Sequence, residues 1–365
     1  MKILLLLPNL EGGGAERVNI ELARQFVKYG IDVEIVLKQA YGILLSEAKS
    51  EFSIINLNSK SLIKTIFTLA KYIDKCKPDA LIVSMWGLTA YASFSKLITK
   101  HKYKLLLVEH SSLVNQFKDS RLIIKLWLRV SIFFAYRIAD FLAGVSYGVS
   151  RDMQYLAKLN KLPETLYNPI PVMGSIKKFQ ERQNHISKTT YTIVTAGRLI
   201  KAKDYSTLIE SFAIVNNKID AKLIILGKGP LLNELREQAR NLNILDKVFF
   251  KGFVNDPHKY FQKADLFVLS SMREGLSTVL IEAMGCGTPV VATNCNHGPS
   301  EILDNGKYGR LVPVGNVELL ADAIFKTLKE KNNPDKLIRR AFDFAPENSA
   351  KHYLQVLDLY NSIKK

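Results

Sequence analysis

Two carboxylates and two cations in the second half of the chain have the types and spacing to handle a sugar diphosphate. Glu274 and Glu282 stand eight positions apart in Glu274-Gly275-Leu276-Ser277-Thr278-Val279-Leu280-Ile281-Glu282. Glu274 falls in the loop after the apolar run Leu266–Leu269. Glu282 falls about one turn into a helix that Ser277 is suited to cap. Carboxylates accept hydrogen bonds from sugar and ribose hydroxyls, and the N-terminus of that helix favours a phosphate. Arg198 and Lys203 lie in Gly197-Arg198-Leu199-Ile200-Lys201-Ala202-Lys203-Asp204, straight after the apolar run Thr192–Ala196. A guanidinium fits phosphate oxygens bidentately and an ammonium adds a point charge, so the pair suits a diphosphate as a leaving group. On charge alone this would be a solvated basic turn. The glutamates in the same half give it a chemical context.

A third group lies near the N-terminus. Glu11-Gly12-Gly13-Gly14-Ala15-Glu16-Arg17 follows the apolar run Ile3–Leu7 and opens an amphipathic segment, Ala15–Tyr29. Glycines let the backbone approach a ligand, and a helix N-terminus favours an anion. A tight turn without a ligand is the plainer alternative. A dinucleotide fingerprint fits poorly: Arg17 stands where the third glycine belongs, and Glu34 falls inside the second strand. His110, in Glu109-His110-Ser111-Ser112, ends another apolar run and is either a site residue or a hydrogen-bonded structural histidine.

These residues need elements to carry them. Short apolar runs alternate with helix-length segments on both sides of residue 170, which predicts parallel sheets covered by helices on both faces. The length of 365 residues agrees with two domains. Asn168-Pro169-Ile170-Pro171 must be extended, and 174–190 is polar and basic. The expected organisation is an N-terminal domain at 1–170, a linker at 171–190, a C-terminal domain at 191–345 and a C-terminal helix at 346–365 that packs back on the first domain. Ligands of such sheets bind at the carboxyl ends of the strands, here in a central cleft faced by both domains.

Composition excludes other classes. Hydrophobic residues make up 47% of the chain, too many for general disorder. Three cysteines are too few for a disulfide scaffold and fit a reducing compartment. The N-terminal apolar run stops at Pro8, with no cleavage site after it. The apolar uncharged stretch Ala80–Ser95 is short for a spanning helix, so a cytoplasmic protein is expected. No Asp-x-Asp, His-Glu-x-x-His or paired-cysteine spacing suggests a metal, and no cofactor is expected.

The constellation resembles the retaining glycosyltransferases of family 4, which have the two-domain GT-B fold. The resemblance covers nearly the whole chain. It rests on Gly13-Gly14-Ala15-Glu16-Arg17, Gly197-Arg198-Leu199 with Lys203, Leu226-Gly227-Lys228-Gly229-Pro230, Gly252-Phe253-Val254, the spaced Glu274 and Glu282, and Gly309-Arg310-Leu311-Val312-Pro313. Within the family it looks most like bacterial enzymes that extend lipid-linked oligosaccharides for O-antigen, capsule or glycoprotein glycans.

The resemblance implies a nucleotide-sugar donor, a UDP-hexose or UDP-N-acetylhexosamine, and a polyprenyl-diphosphate-linked acceptor. Arg198 and Lys203 would neutralise the diphosphate. Glu282 would hold ribose hydroxyls, Glu274 would hold hydroxyls of the transferred sugar, and Gly275, Leu276 and Ser277 would belong to the donor-binding site. The backbone around Phe253 and Val254 would read the base, and Gly227 and Gly229, in Gly227-Lys228-Gly229-Pro230, would line the donor pocket. Gly13 and Gly14 would approach the donor phosphates, and His110 would stand near the reacting sugar. The resemblance also implies retention of configuration and no metal.

The net charge of +17 asks for an anionic partner. Residues 51–150 hold 14 Lys and Arg against 6 Asp and Glu, so the acceptor-side domain carries much of the excess. Lys118, Arg121, Lys125 and Arg129 recur every three or four positions, among Leu122, Ile123, Ile124, Leu126, Trp127, Leu128 and Val130. That pattern fits a helix lying on an anionic membrane, and equally a core helix with one basic stripe. The membrane reading puts the protein on the inner face of the cytoplasmic membrane. The alternative is a soluble transferase acting on a small sugar or glucan. No RNA motif or zinc-finger spacing supports a nucleic-acid partner.

Overall fold

The structure is a computed structural model that describes residues 1–59, 61–117, 121–172 and 190–363. Lys118 and nearly all of the 171–190 linker, with Lys177, Lys178, Glu181, Arg182 and Lys188, lie outside the described residues. The chain divides into two compact units, Met1–Pro169 with Pro346–Lys365, and Ile170–Ala345.

The first unit is built on seven strands: β1 Lys2–Leu7, β2 Asp32–Leu37, β3 Ser53–Asn56, β4 Ala80–Ser84, β5 Lys104–Glu109, β6 Phe141–Gly144 and β7 Glu164–Thr165. Their order is β3-β2-β1-β4-β5-β6-β7, and every neighbouring pair is parallel. Ile3 to Leu7 are fully buried. A central parallel strand is covered on both faces, which is why this run carries no polar alternation.

The second unit repeats the plan with β8 Tyr191–Ala196, β9 Ala221–Leu226, β10 Val248–Gly252, β11 Leu266–Leu269, β12 Val290–Thr293 and β13 Arg310–Val312, ordered β10-β9-β8-β11-β12-β13. Ile193, Leu223, Leu266 and Val291 pack under the helices Tyr205–Asn216 and Val317–Lys329 in one core. In both sheets the order reverses beside the first strand, the arrangement of a doubly wound Rossmann-like domain.

Some elements depart from the sequence expectation. β13 is not legible in the sequence: three residues headed by an arginine are too short for a periodic signal. The strand Glu164–Thr165 is short, although the Leu166 N–H still donates to the Gly144 carbonyl at 2.9 Å before the chain enters Asn168-Pro169-Ile170-Pro171. The 346–365 segment is two helices, Pro346–Val356 and Tyr360–Ile363, separated where Asp358 takes a left-handed φ of 50°. It packs within the first unit. Ser349 Oγ donates to the Tyr167 carbonyl at 2.8 Å, and Lys104 Nζ donates to the Leu357 carbonyl at 2.7 Å.

Candidate active site

In the second unit β8 and β11 are sheet neighbours, with Ile193 opposite Leu266 and Val194 opposite Phe267. The chain leaves β8 toward β9 and leaves β11 toward β12. The loops after these two strands therefore diverge from a common point, where such sheets bind ligands. The β8 loop carries Arg198 and Lys203, and the β11 loop carries Glu274. Backbone bonds lace the loops together: the Met272 N–H donates to the Ala202 carbonyl at 2.8 Å, and Ser270 Oγ donates to the Lys203 carbonyl at 2.8 Å.

This lacing brings two expected site residues into contact. Lys203 Nζ donates to Glu274 Oε1 at 2.6 Å, and Ser271 Oγ donates to the same oxygen at 2.6 Å. The side chains are only 20% and 10% exposed. Each half-sheltered charge is thus satisfied by the other, and removing one would strand its partner. Arg198 is exposed at the head of the same loop.

The glycines explain how the loops pack so closely. A Cβ on Gly227 would overlap the Gly197 carbonyl oxygen, and one on Gly229 would overlap the backbone of Leu199. Gly227 also holds φ at +144°, in the range that favours glycine. The Gly227 N–H donates to the Gly252 carbonyl at 2.7 Å, so the loops after β8, β9 and β10 stack in series. Phe253, exposed, and Val254, half-buried, follow directly.

The helix Thr278–Gly285 places Glu282 on its second turn, half-buried. Ser277 stands at the N-cap position but does not cap: its side chain makes no hydrogen bond to the helix start. The expectation of a serine cap is corrected there. Gly275, Leu276 and Ser277 are all buried, and the backbone at Gly298, with φ +90°, is packed against Gly275 and Leu276. Ser277 Oγ is buried without a hydrogen-bond partner among the described residues. The same holds for the hydroxyl of Tyr205, which lies beside Gly197. Two buried hydroxyls and a helix N-terminus flank the Lys203–Glu274 pair, and a phosphate would satisfy such donors. Nearby, burial and then the Glu274 charge push the Cys295 thiol up to about 12, which keeps it unreactive.

Tyr205 and Ser271 were not identified from the sequence. Tyr205 directly follows the basic loop, but a tyrosine opening a helix reads as core. Ser271 becomes relevant only once Glu274 turns back onto it.

Gly13, Gly14 and His110 belong to the first unit. Gly13 is the extended N-cap of the helix Gly14–Lys28, and the Glu16 carboxylate folds back over it. That helix start is therefore faced by the chain's own carboxylate. Gly14 has open space where a side chain would be. His110 follows β5, and its Nε2 is buried with no partner among the described residues. Burial pushes the imidazole down to about 4, so it is neutral at pH 7. The adjacent Glu109 accepts from Tyr136 Oη at 3.0 Å and Thr89 Oγ1 at 3.4 Å. Burial pushes its carboxyl up to about 7, outweighing the hydrogen bonds from Tyr136, the Trp86 backbone and Thr89.

No group of three or more His, Cys, Asp or Glu side chains among the described residues is placed to hold a metal ion. No helix among them is long and apolar enough to cross a membrane.

Two family models tile the chain. Glycosyltransferase Family 4 matches residues 12–172, and Glycosyl transferases group 1 matches 176–344. A curated relative from Campylobacter jejuni is 34% identical over 255 residues, 70% of this chain and 64% of its own length. It is an N-acetylgalactosamine-N,N'-diacetylbacillosaminyl-diphospho-undecaprenol 4-alpha-N-acetylgalactosaminyltransferase. The N-acetyl-alpha-D-glucosaminyl L-malate synthase of Bacillus anthracis is 29% identical over 54% of this chain and 52% of its own length. The matched region thus spans between half and two thirds of these two relatives. Among solved structures, the Anabaena protein HepE in complex with UDP-glucose superposes with a TM-score of 0.76 at 21% identity, over 100% of this chain and 98% of its own. This likeness, with the two Rossmann-like sheets, gives the GT-B fold, and the paired family models make the chain a member of glycosyltransferase family 4.

Proposed function

We propose that the chain is a retaining glycosyltransferase that moves a sugar from a UDP-sugar to a polyprenyl-diphosphate-linked oligosaccharide during bacterial surface or glycoprotein glycan assembly. The observation that carries the donor half is the Lys203–Glu274 pair between the β8 and β11 loops, beside Ser277, whose Oγ does not cap its helix and has no partner among the described residues. A diphosphate would draw on Arg198, Lys203, Ser277 and the helix start. Glu274 would then hold the sugar hydroxyls and Glu282 the ribose hydroxyls. Phe253 and Val254 would contact the base, with Gly227 and Gly229 keeping the floor flat.

The acceptor hydroxyl attacks the anomeric carbon as the bond to the diphosphate oxygen breaks. A departing phosphate oxygen on the same face takes the hydroxyl proton, so configuration is retained and no strong protein base is needed. The protein contributes position and positive charge at the leaving group, without a metal. The Campylobacter relative acts on an undecaprenyl-diphosphate-linked acceptor by name, which supports a lipid-linked acceptor here.

The first unit supports a membrane-surface role. The helix Leu122–Ile138 buries only Leu128, Ser131, Ile132, Ala135 and Tyr136. Leu122 is 83% exposed, Ile123 80% and Trp127 53%, interspersed with Arg121, Lys125 and Arg129. A core helix with one basic stripe would not expose these residues. An apolar face edged with cations suits an anionic bilayer on the cytoplasmic side.

The deciding experiment screens UDP- and GDP-sugars for nucleotide release with lipid-diphosphate oligosaccharide acceptors. Release that requires the lipid-linked acceptor is expected. Turnover only on free sugars or malate would replace the acceptor assignment with a soluble one.

A further inference from the structure

A second group of unusual residues stands at the carboxyl ends of β4 and β5, within the first unit. Met85, directly after β4, holds φ at +77°, and Gly87 follows at +99°. A methionine in that region is strained, and such strain persists only where the surroundings enforce it. Between them lies Trp86, half-buried, with its indole Nε1 buried and without a hydrogen-bond partner among the described residues.

The neighbouring strand explains what holds the loop. Ser84 is opposite Val108, and the Met85 N–H donates to the Val108 carbonyl at 3.2 Å. The register carries Trp86 alongside Glu109 and His110, and the Trp86 backbone N–H bonds the Glu109 carboxylate. Two ring nitrogens, Trp86 Nε1 and His110 Nε2, are therefore buried and unsatisfied at adjacent strand ends. Leaving a buried polar group unpaired costs about 1–3 kcal/mol. The Trp86 ring meets Phe117 edge-on at 4.9 Å and Trp127 edge-on at 6.3 Å between centroids.

We propose that Trp86 and His110 form a subsite for the sugar of the acceptor that receives the new glycosidic bond. The indole N–H donates to one sugar hydroxyl, His110 Nε2 bonds a second, and the Trp86 and Trp127 rings cover the apolar C–H face of the pyranose. Carbohydrate suits the cluster because it offers hydroxyls and an apolar face together, whereas an isoprenoid chain would leave both nitrogens unsatisfied. Glu109 acts as a positioning residue by fixing the Trp86 backbone. The inference rests on the glycosyltransferase reading and adds the acceptor contacts to it.

Both tryptophans of the chain lie in this cluster, so intrinsic fluorescence reports on it alone. The probes are octyl N-acetylgalactosaminide below its micellar concentration, farnesyl diphosphate as the prenyl arm, and UDP followed by calorimetry. The glycoside is expected to shift the emission saturably. W86F and H110A should weaken glycoside affinity at least fivefold with UDP affinity unchanged, Trp127 remaining as the reporter in W86F. Unaltered glycoside affinity in W86F and H110A would overturn the proposal. So would a response to farnesyl diphosphate alone, or no response to the glycoside in protein that binds UDP. Protein that binds the glycoside in this Trp86-dependent way but binds no UDP would uphold the subsite and count against the donor assignment.

Discussion

Lys203 and Glu274 are the two side chains on which the proposed chemistry turns, and in the free protein each neutralises the other. A donor diphosphate would compete for the Lys203 ammonium and release Glu274 toward the sugar. The two substitutions should therefore differ. E274Q removes the competitor for Lys203, so UDP should bind as tightly as to the unaltered protein or more tightly, while turnover falls by about 100-fold or more. K203A removes the phosphate contact and strands a carboxylate that is only 10% exposed, so UDP affinity and stability should both fall, stability by about 2 kcal/mol. The double variant should recover part of that stability, because no unpaired charge remains. Calorimetry with UDP, turnover and thermal unfolding check all three. Weaker UDP binding in E274Q would show that the pair does not compete with the diphosphate. The sequence made both residues candidates through their types and loops. Their contact spans 71 positions and follows from β8 lying beside β11, which no local pattern reveals.

At the scale of elements, the helix Leu122–Ile138 faces two ways. Its buried side reaches the β5 end through Tyr136 and Glu109, and its outer side exposes Ile123, Leu126 and Trp127. Sequence periodicity could not decide between core and surface here, because apolar residues surround the helix almost completely and only packing shows which stripe is buried. In flotation assays the protein should rise with anionic vesicles and stay down with neutral ones. The paired substitution I123E/L126E should abolish the association without lowering UDP affinity. No flotation with anionic vesicles at low or moderate salt would remove the membrane role.

The inner side carries a pH signature. Glu109, ordinarily near 4.5, is held up to about 7, so the folded chain keeps a proton that the unfolded chain has lost. This contribution is complete below about 4.5 and disappears as pH rises through 7. His110, ordinarily 6.5, is held down to about 4, so its contribution is complete above 6.5 and disappears as pH falls through 4. The slopes oppose each other between these limits. E109Q should expose the histidine slope alone: its melting temperature should climb with pH up to about 6.5 and then level, whereas the wild type should stay nearly flat to about 6.5 and fall only until Glu109 has ionised near 7. Parallel wild-type and E109Q profiles from pH 4.5 to 8 would reject this account of Glu109.

At the scale of the whole molecule, the alternation of apolar runs and the Asn168-Pro169-Ile170-Pro171 break made two α/β halves legible in the sequence. Chain order alone puts the last segment after the second domain, and only the expectation that it packs back on the first makes one unit discontinuous. Pro346–Lys365 belongs with Met1–Pro169, yet nothing in its composition names a partner. Its Tyr353, Leu354 and Leu357 are almost fully buried, and each such side chain contributes roughly 1.5–3 kcal/mol through burial. The Lys104 and Ser349 bonds to backbone carbonyls add local satisfaction. Deleting the segment after Ala345 should thus open the first unit's core while sparing the second unit, whose own core draws on residues such as Ile193, Leu223 and Val291. Limited proteolysis with mass spectrometry should find early cuts between residues 1 and 169 and a protected fragment covering 190–345. That protection should increase when UDP is added, because binding stabilises only the state that binds. Equal cutting in both units, or cuts confined to 190–345, would mean that the C-terminal segment is not what completes the first unit.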